Sequence, residues 1–180
     1  MARAGLFLTL GSIFLLLSCS PKHDESNQSS MKTTSNNVLS IIRPVLLLDI
    51  NGLHTLIQER HGKALLLNVW ATWCQPCVEE FPDIVQLAQE DTTLQIVGIS
   101  VDYPDEIQSK VMPFLTKMKV PFQVYVAKSD KQEDFITVID PDWNGAVPAT
   151  YLYDSKGRKR SSWIGERSLK EFQKAVRDLM

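Results

Sequence analysis

The chain has 180 residues, 44% of them apolar and 22% charged, with 8 Gly and 9 Pro, a balance that fits one globular domain plus an added segment and excludes collagen-like or wholly disordered chains. Nineteen Lys and Arg against 21 Asp and Glu leave a net charge of -2, so no global basic field draws nucleic-acid phosphates and no nucleic-acid partner is expected. Three cysteines are odd in number and too few for a disulfide-stapled miniprotein, so each is read in its own neighbourhood.

Arg3 precedes an apolar stretch over residues 5–17 that is broken by Thr9 and by Gly11-Ser12. As a helix this stretch spans about 20 Å, short of the roughly 30 Å hydrocarbon core, so it reads as a secretory leader rather than a permanent span. Leu16-Leu17-Ser18-Cys19 resembles the lipobox of bacterial lipoproteins. That resemblance implies cleavage after residue 18 and lipidation of Cys19, which would hold the chain on a lipid bilayer; an ordinary signal peptide with an incidental Cys is the alternative. Residues 20–37 are almost entirely polar and cannot bury enough area to offset ordering entropy, so they read as a flexible tether with a reach of about 20–25 Å. The expected organisation is therefore a leader over 1–18, a lipidated Cys and tether over 19–40, and one folded domain over 41–180. With Cys19 removed from the thiol pool, two cysteines remain in a compartment where disulfides persist.

Within the folded part, Leu53, Leu56 and Ile57 recur at helical spacing in residues 51–60, with Asp49 or Asn51 available as N-cap. Residues 64–70 (ALLLNVW) form a continuous apolar run broken only by Asn68, the pattern of a central strand covered on both faces. Phe81, Ile84, Val85 and Ala88 give an amphipathic helix after Cys77. A strand over 94–100, a helix over 104–119 that Pro113 should kink, a strand over 122–126 and a short helix over 133–139 follow. Strands over 149–153 and 161–164 flank the turn sequence Asp154-Ser155-Lys156-Gly157, and Ser168 caps a last helix running to Leu179. This order predicts an α/β sheet, mostly parallel with an antiparallel edge.

Trp73-Cys74-Gln75-Pro76-Cys77 stands where the central strand ends and a helix begins. A sulfur at a helix N-terminus faces unsatisfied backbone N–H groups and the positive end of the dipole, which favours thiolate. Each unit by which the thiol pKa falls from about 8.5 needs about 1.4 kcal/mol. The dipole supplies roughly 0.3–2 kcal/mol, so any further lowering comes from hydrogen bonds to the sulfur. The two-residue spacing lets Cys77 resolve a mixed disulfide formed at Cys74, which is reversible dithiol/disulfide exchange.

The residues 65–82 (LLLNVWATWCQPCVEEFP), the residues 145–157 (GAVPATYLYDSKG) and the order of elements resemble the thioredoxin superfamily, and within it the membrane-tethered TlpA/ResA-like thiol-disulfide oxidoreductases of bacterial envelopes. The resemblance implies a thioredoxin-like fold with a central mixed sheet flanked by helices and an extra strand-helix insertion between the CxxC helix and a cis-proline. It places that cis-proline at Pro148, with Val147 pairing the substrate backbone, and Trp73, Gln75 and Pro76 on the substrate-facing surface. It implies reduction of protein disulfides in the periplasm, including cytochrome c biogenesis, by a monomer fed from a membrane electron donor, with no cofactor beyond the Cys74–Cys77 disulfide.

Where thioredoxin has a buried Asp, six residues before Cys74, this chain has Asn68, which cannot act as a base. Glu80 lies about 60° from Cys77 around the helix, whereas Glu79 points away. The C-x-x-C-x-x-E-x-P pattern completed by Pro82 also favours Glu80. Glu80 is therefore the expected proton carrier, partly buried and with a raised pKa. A disulfide-forming oxidase and a thioredoxin-fold peroxidase are alternatives. A non-catalytic metal-handling protein is another, but His23, His54 and His61 all precede the CxxC and two Cys alone make an incomplete site, so no metal is expected. Trp70 is expected in the core, Trp143 has no assigned role, and the basic stretch 156–160 reads as a solvated hairpin.

Overall fold

A computed structural model describes residues 43–59, 62–128 and 132–179. A short strand β1 (Leu46–Leu48) leads into α1 (Ile50–Gln58), β2 (Leu65–Trp70), α2 (Gln75–Glu90) and β3 (Gln95–Ser100). A 3₁₀ turn (Pro104–Glu106), a π turn (Ile107–Val111) and α3 (Met112–Met118) follow, then β4 (Gln123–Ala127) and α4 (Gln132–Ile139). The hairpin β5 (Ala149–Tyr153) and β6 (Lys159–Ile164) and the helix α5 (Leu169–Arg177) complete the described elements.

The six strands form one sheet in the order β1-β4-β3-β2-β5-β6. β1, β4, β3 and β2 are parallel, whereas β5 runs antiparallel to β2 and to β6. The expected mixed sheet is present, with β2 and β3 at its centre. Between α2 and Pro148 the chain makes two strand-helix units, β3 with α3 and β4 with α4.

Side chains alternate across a strand, and on β2 the alternation sorts two cores. Leu66 and Trp70 face Phe81, Ile84, Leu115 and Phe172, while Leu65, Leu67 and Val69 face Leu53, Phe135, Ile139 and Tyr151. Asn68 has the same parity as Leu66 and Trp70, so the one polar residue of the strand is directed at α2. Trp70 is fully buried, as expected. Gly98 on the adjacent strand lies close against its indole: a Cβ there would stand 3.2 Å from Trp70 Nε1 and 3.2 Å from Val124 Cγ2, tighter than most packed contacts, so these side chains would have to shift to admit it.

The helix predicted over 104–119 forms as three segments instead. Pro113 has no N–H for the carbonyl of residue 109, and just before it the Met112 N–H donates to the Ile107 carbonyl, five residues back. One extra residue is thereby looped out as a π turn, rather than one helix kinking. β1 was not expected. It is three residues long at the sheet edge, paired through Leu46↔Tyr125, and of its residues only Leu48 is buried, so no alternation marks it.

Asp49 caps α1 by accepting from the Gly52 N–H at 2.8 Å, and Ser168 with Glu171 forms a capping box on α5. The basic hairpin is held by carboxylates. Asp154 accepts from the Lys156 and Arg158 N–H groups and from Arg158 Nε, and Lys159 pairs with Asp140 at 2.6 Å.

Candidate active site

β2 ends at Trp70, and the chain turns through Ala71, Thr72 and Trp73 before α2 begins with Cys74 as its N-cap. The turn is fixed by Asp102, a buried carboxylate just past the end of β3. Its Oδ2 accepts from the Thr72 N–H at 2.9 Å and the Ser100 hydroxyl at 2.6 Å, and its Oδ1 accepts from the Thr72 hydroxyl at 2.5 Å. β2 and β3 pair in parallel through Trp70↔Ser100, so both strands end at the level of this bridge. Sequence reasoning missed Asp102; the only signal was its place directly after a buried strand.

Cys74 and Cys77 are joined by a disulfide with Cα atoms 5.2 Å apart. The Cys74 sulfur accepts from the Cys77 N–H at 3.3 Å, the geometry expected at a helix N-terminus. The two sulfurs differ in access. Cys74 retains 6% exposure, whereas Cys77 is inaccessible. Trp73 is 63% exposed beside them, and Gln75 and Pro76 are exposed on the first turn. Glu79 points outward, as expected, and accepts from Gln75 Nε2 at 2.7 Å.

The Val147–Pro148 peptide bond is cis. The Val147 carbonyl oxygen stands 3.5 Å from the Cys74 sulfur, so residues 73 positions apart meet at the sheet's end. On the far side, the Pro148 carbonyl accepts from the Gly165 N–H at 2.8 Å.

Glu80 lies on the inner face of α2, one helical turn after Cys77. It is more deeply buried than expected, with 3% exposure. Oε1 accepts from Asn68 Nδ2 at 2.8 Å and Oε2 accepts from the Arg167 N–H at 3.1 Å. The other Asn68 N–H donates to Thr150 Oγ1 at 3.0 Å, as the register Asn68↔Thr150 dictates. Burial pushes the Glu80 carboxyl up to about 7; the Asn68 and Arg167 hydrogen bonds hold it back, and the charges of Glu166 and Asp83 add to the rise. A carboxyl with that value both holds and releases a proton near neutral pH. Thr150 and the Arg167 amide were not anticipated, since neither reveals itself without the strand register and the β6–α5 turn.

Cys19 and its leader lie outside the described residues. Among the described residues, no group of three or more His, Cys, Asp and Glu side chains could hold a metal ion, and no helix is long and apolar enough to cross a membrane.

Residues 47–161 match the AhpC/TSA family. The thioredoxin-like protein YneN of Bacillus subtilis is 27% identical over 128 residues, covering 71% of each chain. The thiol:disulfide interchange protein DsbE of Haemophilus influenzae is 32% identical over 120 residues, covering 67% of this chain and 61% of its own. Among solved structures, a thiol:disulfide interchange protein of the thioredoxin family from Chlorobium tepidum superposes with a TM-score of 0.58 at 25% identity, covering 76% of this chain and 97% of that one. The chain belongs to the AhpC/TSA family, as a thiol-disulfide oxidoreductase of thioredoxin-like fold that carries the Cys74–Cys77 disulfide.

Proposed function

We propose that the chain is a lipid-anchored, extracytoplasmic reductase of protein disulfides, with cytochrome c precursors among its substrates. The observation that carries the exchange chemistry is the asymmetry of the pair: Cys74 is the N-cap, partly accessible and facing the Val147 backbone, while Cys77 is sealed behind it.

In the reduced enzyme the Cys74 thiolate attacks one sulfur of a substrate disulfide. The substrate S–S bond breaks, its second sulfur leaves as thiolate, and Cys74 is held in a mixed disulfide. Cys77 then attacks the Cys74 sulfur. The Cys74–Cys77 disulfide forms, the remaining substrate thiol is released, and two electrons have passed to the substrate. A dithiol donor in the membrane reverses the cycle on the enzyme. Glu80, whose carboxyl titrates near neutral pH, takes the Cys77 proton as that sulfur becomes the attacking thiolate. Trp73, Gln75, Pro76, Val147 and Pro148 form the surface on which the substrate chain lies, and Cys19 carries the lipid.

The direction is tested by the reduction potential of the chain against glutathione, together with insulin reduction. A potential well below the glutathione couple with insulin turnover supports the reductase; one well above it assigns an oxidase. Turnover of hydrogen peroxide by the reduced chain would assign a peroxidase instead. Cys77→Ser should accumulate a mixed disulfide at Cys74, and failure to trap any partner overturns the attack order. Loss of fatty-acid labelling in Cys19→Ala, expressed in a bacterial host, tests the anchor.

A further inference from the structure

The geometry points to Trp143 as a positioning residue for substrate pairing: its indole sets the placement of the Val147 backbone beside Cys74. The inference rests on the reading of Val147 as the residue that pairs with the substrate chain.

Residues 140–148 connect α4 to β5 without regular structure, so their course depends on individual contacts. At the start of the loop the Trp143 N–H donates to the Asp140 carbonyl at 3.0 Å, and the Asp142 N–H donates to Asp140 Oδ1 at 3.3 Å. Gly145 adopts φ +83°, a conformation open to glycine at little cost, and turns the chain back over the indole. Trp143 Nε1 then donates to the Ala146 carbonyl at 2.8 Å, while the Ala146 N–H donates to Asn144 Oδ1 at 3.0 Å. Both polar groups of Ala146 are thus taken by side chains of its own loop.

The next residue is different. The Val147 N–H has no partner among the described residues, and the Val147 carbonyl faces a disulfide sulfur that carries no hydrogen. One residue further on, the Pro148 carbonyl is occupied by Gly165. Between Ala146 and Pro148, whose hydrogen-bonding groups are taken, Val147 stands open at both its N–H and its C=O. A single residue offering both groups is the requirement of a hydrogen-bonded antiparallel pair, in which two residues exchange both bonds.

Trp143 ties this opening to the sheet. The ring is 7% exposed and packs edge-on against Tyr151 of β5, with centroids 6.1 Å apart and planes at 74°. It therefore stands on a strand that pairs directly with β2, the strand leading to Cys74. The indole supplies a donor and no acceptor, which fits it to hold a carbonyl at one end while its body fills the core. Phenylalanine would fill most of the same space and leave the Ala146 carbonyl to water, freeing the loop without emptying the core.

The test uses the full chain, reduced beforehand to the Cys74, Cys77 dithiol and freed of reductant, and a short one-cysteine peptide presented as its nitrothiobenzoate mixed disulfide, beside the same peptide N-methylated on its backbone next to the cysteine. Attack by Cys74 forms the Cys74–peptide disulfide and releases coloured nitrothiobenzoate. Wild type should prefer the unmethylated peptide. Trp143→Phe should melt close to wild type, react with the symmetrical nitrothiobenzoate disulfide at the wild-type rate, and lose about fivefold of its preference, as a KM effect, in line with one neutral hydrogen bond. Asn144→Ala, which frees the other polar group of Ala146 from an exposed position, should lose preference in the same direction and serves if Trp143→Phe does not fold. If wild type does not discriminate the two peptides, the pairing role of Val147 is wrong and the inference falls with it. If wild type discriminates and both variants keep the full preference, the bracing by Trp143 alone is overturned.

Discussion

Asn68 and Glu80 meet across the interface of β2 and α2, with the amide donating to Oε1 at 2.8 Å. Asn68 Oδ1 on the same amide is buried without a partner. The amide is thus turned so that both its N–H groups serve acceptors, Glu80 and Thr150, at the cost of its own oxygen. That orientation favours the ionised carboxylate, whereas burial favours the neutral acid.

The balance makes stability depend on pH. Glu80 has its carboxyl pushed up from 4.5 to about 7 in the fold, so between those values the folded chain holds a proton that the unfolded chain has released. The resulting stabilisation is fully present below 4.5 and is lost as pH rises through 7. A gap of this size is on the order of 3 kcal/mol. Urea unfolding of the oxidised chain at pH 5 and pH 8 should show wild type losing about 2–3 kcal/mol more than Glu80→Gln over that interval. Equal losses in the two proteins would remove Glu80 as the titrating group.

Asn68→Leu separates the two protonation states. When Glu80 is neutral, the substitution removes an amide with an unsatisfied oxygen, and the net change should stay within about 1 kcal/mol. When Glu80 is ionised, a hydrogen bond to a charged group is lost, worth about 1.5–3 kcal/mol, and the Glu80 pKa moves higher still. The variant should therefore unfold at a wild-type-like urea concentration at pH 5 and at a clearly lower one at pH 8. A uniform shift at both pH values would mean that Asn68 acts only through packing.

The parts of this site that were legible in sequence are those fixed by short spacing. Cys74, Cys77 and Glu80 lie within two turns of one helix, so angular arithmetic alone puts Glu80 inward and Glu79 outward, as observed. Asn68 was visible as the break in an apolar run. Its partners were not, because Thr150 is 82 positions away and meets it only through the β2–β5 register. Asp102 and Trp143 act by holding backbone across loops, which leaves no periodic trace. β1 escaped for a related reason: a three-residue edge strand with two exposed leucines is too short for alternation to register.

Phe81 joins the active-site helix to its core. It is fully buried and meets Trp70 at 4.6 Å, Phe114 at 5.0 Å and Phe122 at 5.9 Å between ring centroids. Phe81→Ala should cost about 3–5 kcal/mol, with Phe81→Leu costing less because most of the volume is kept. Denaturant midpoints of the three proteins check the order, and an alanine cost below about 1 kcal/mol would mean that the cluster collapses freely around the gap.

Asp102 carries the last prediction, and here the choice of substitution separates charge from connection. The carboxylate accepts from the Thr72 N–H, the Thr72 hydroxyl and the Ser100 hydroxyl; Asp102 itself is 2% exposed, and Thr72 is half-buried. In Asp102→Asn the carbonyl oxygen can keep the Thr72 N–H and the Ser100 hydroxyl, while the new amide N–H faces a Thr72 hydroxyl free to rotate and accept. What is lost is the charge assistance, about 1–2 kcal/mol. In Asp102→Ala the Ser100 hydroxyl loses its acceptor in a buried place and the two Thr72 donors lose theirs in a part-buried one, and the cost should reach about 2–4 kcal/mol. Thr72 precedes Trp73 and Cys74 in the same turn, so the alanine variant should also slow attack on the nitrothiobenzoate disulfide at pH 7, while the asparagine variant keeps most of the rate. Equal unfolding free energies for Asn and Ala would show that the bridge contributes through its charge alone and does not fix the turn.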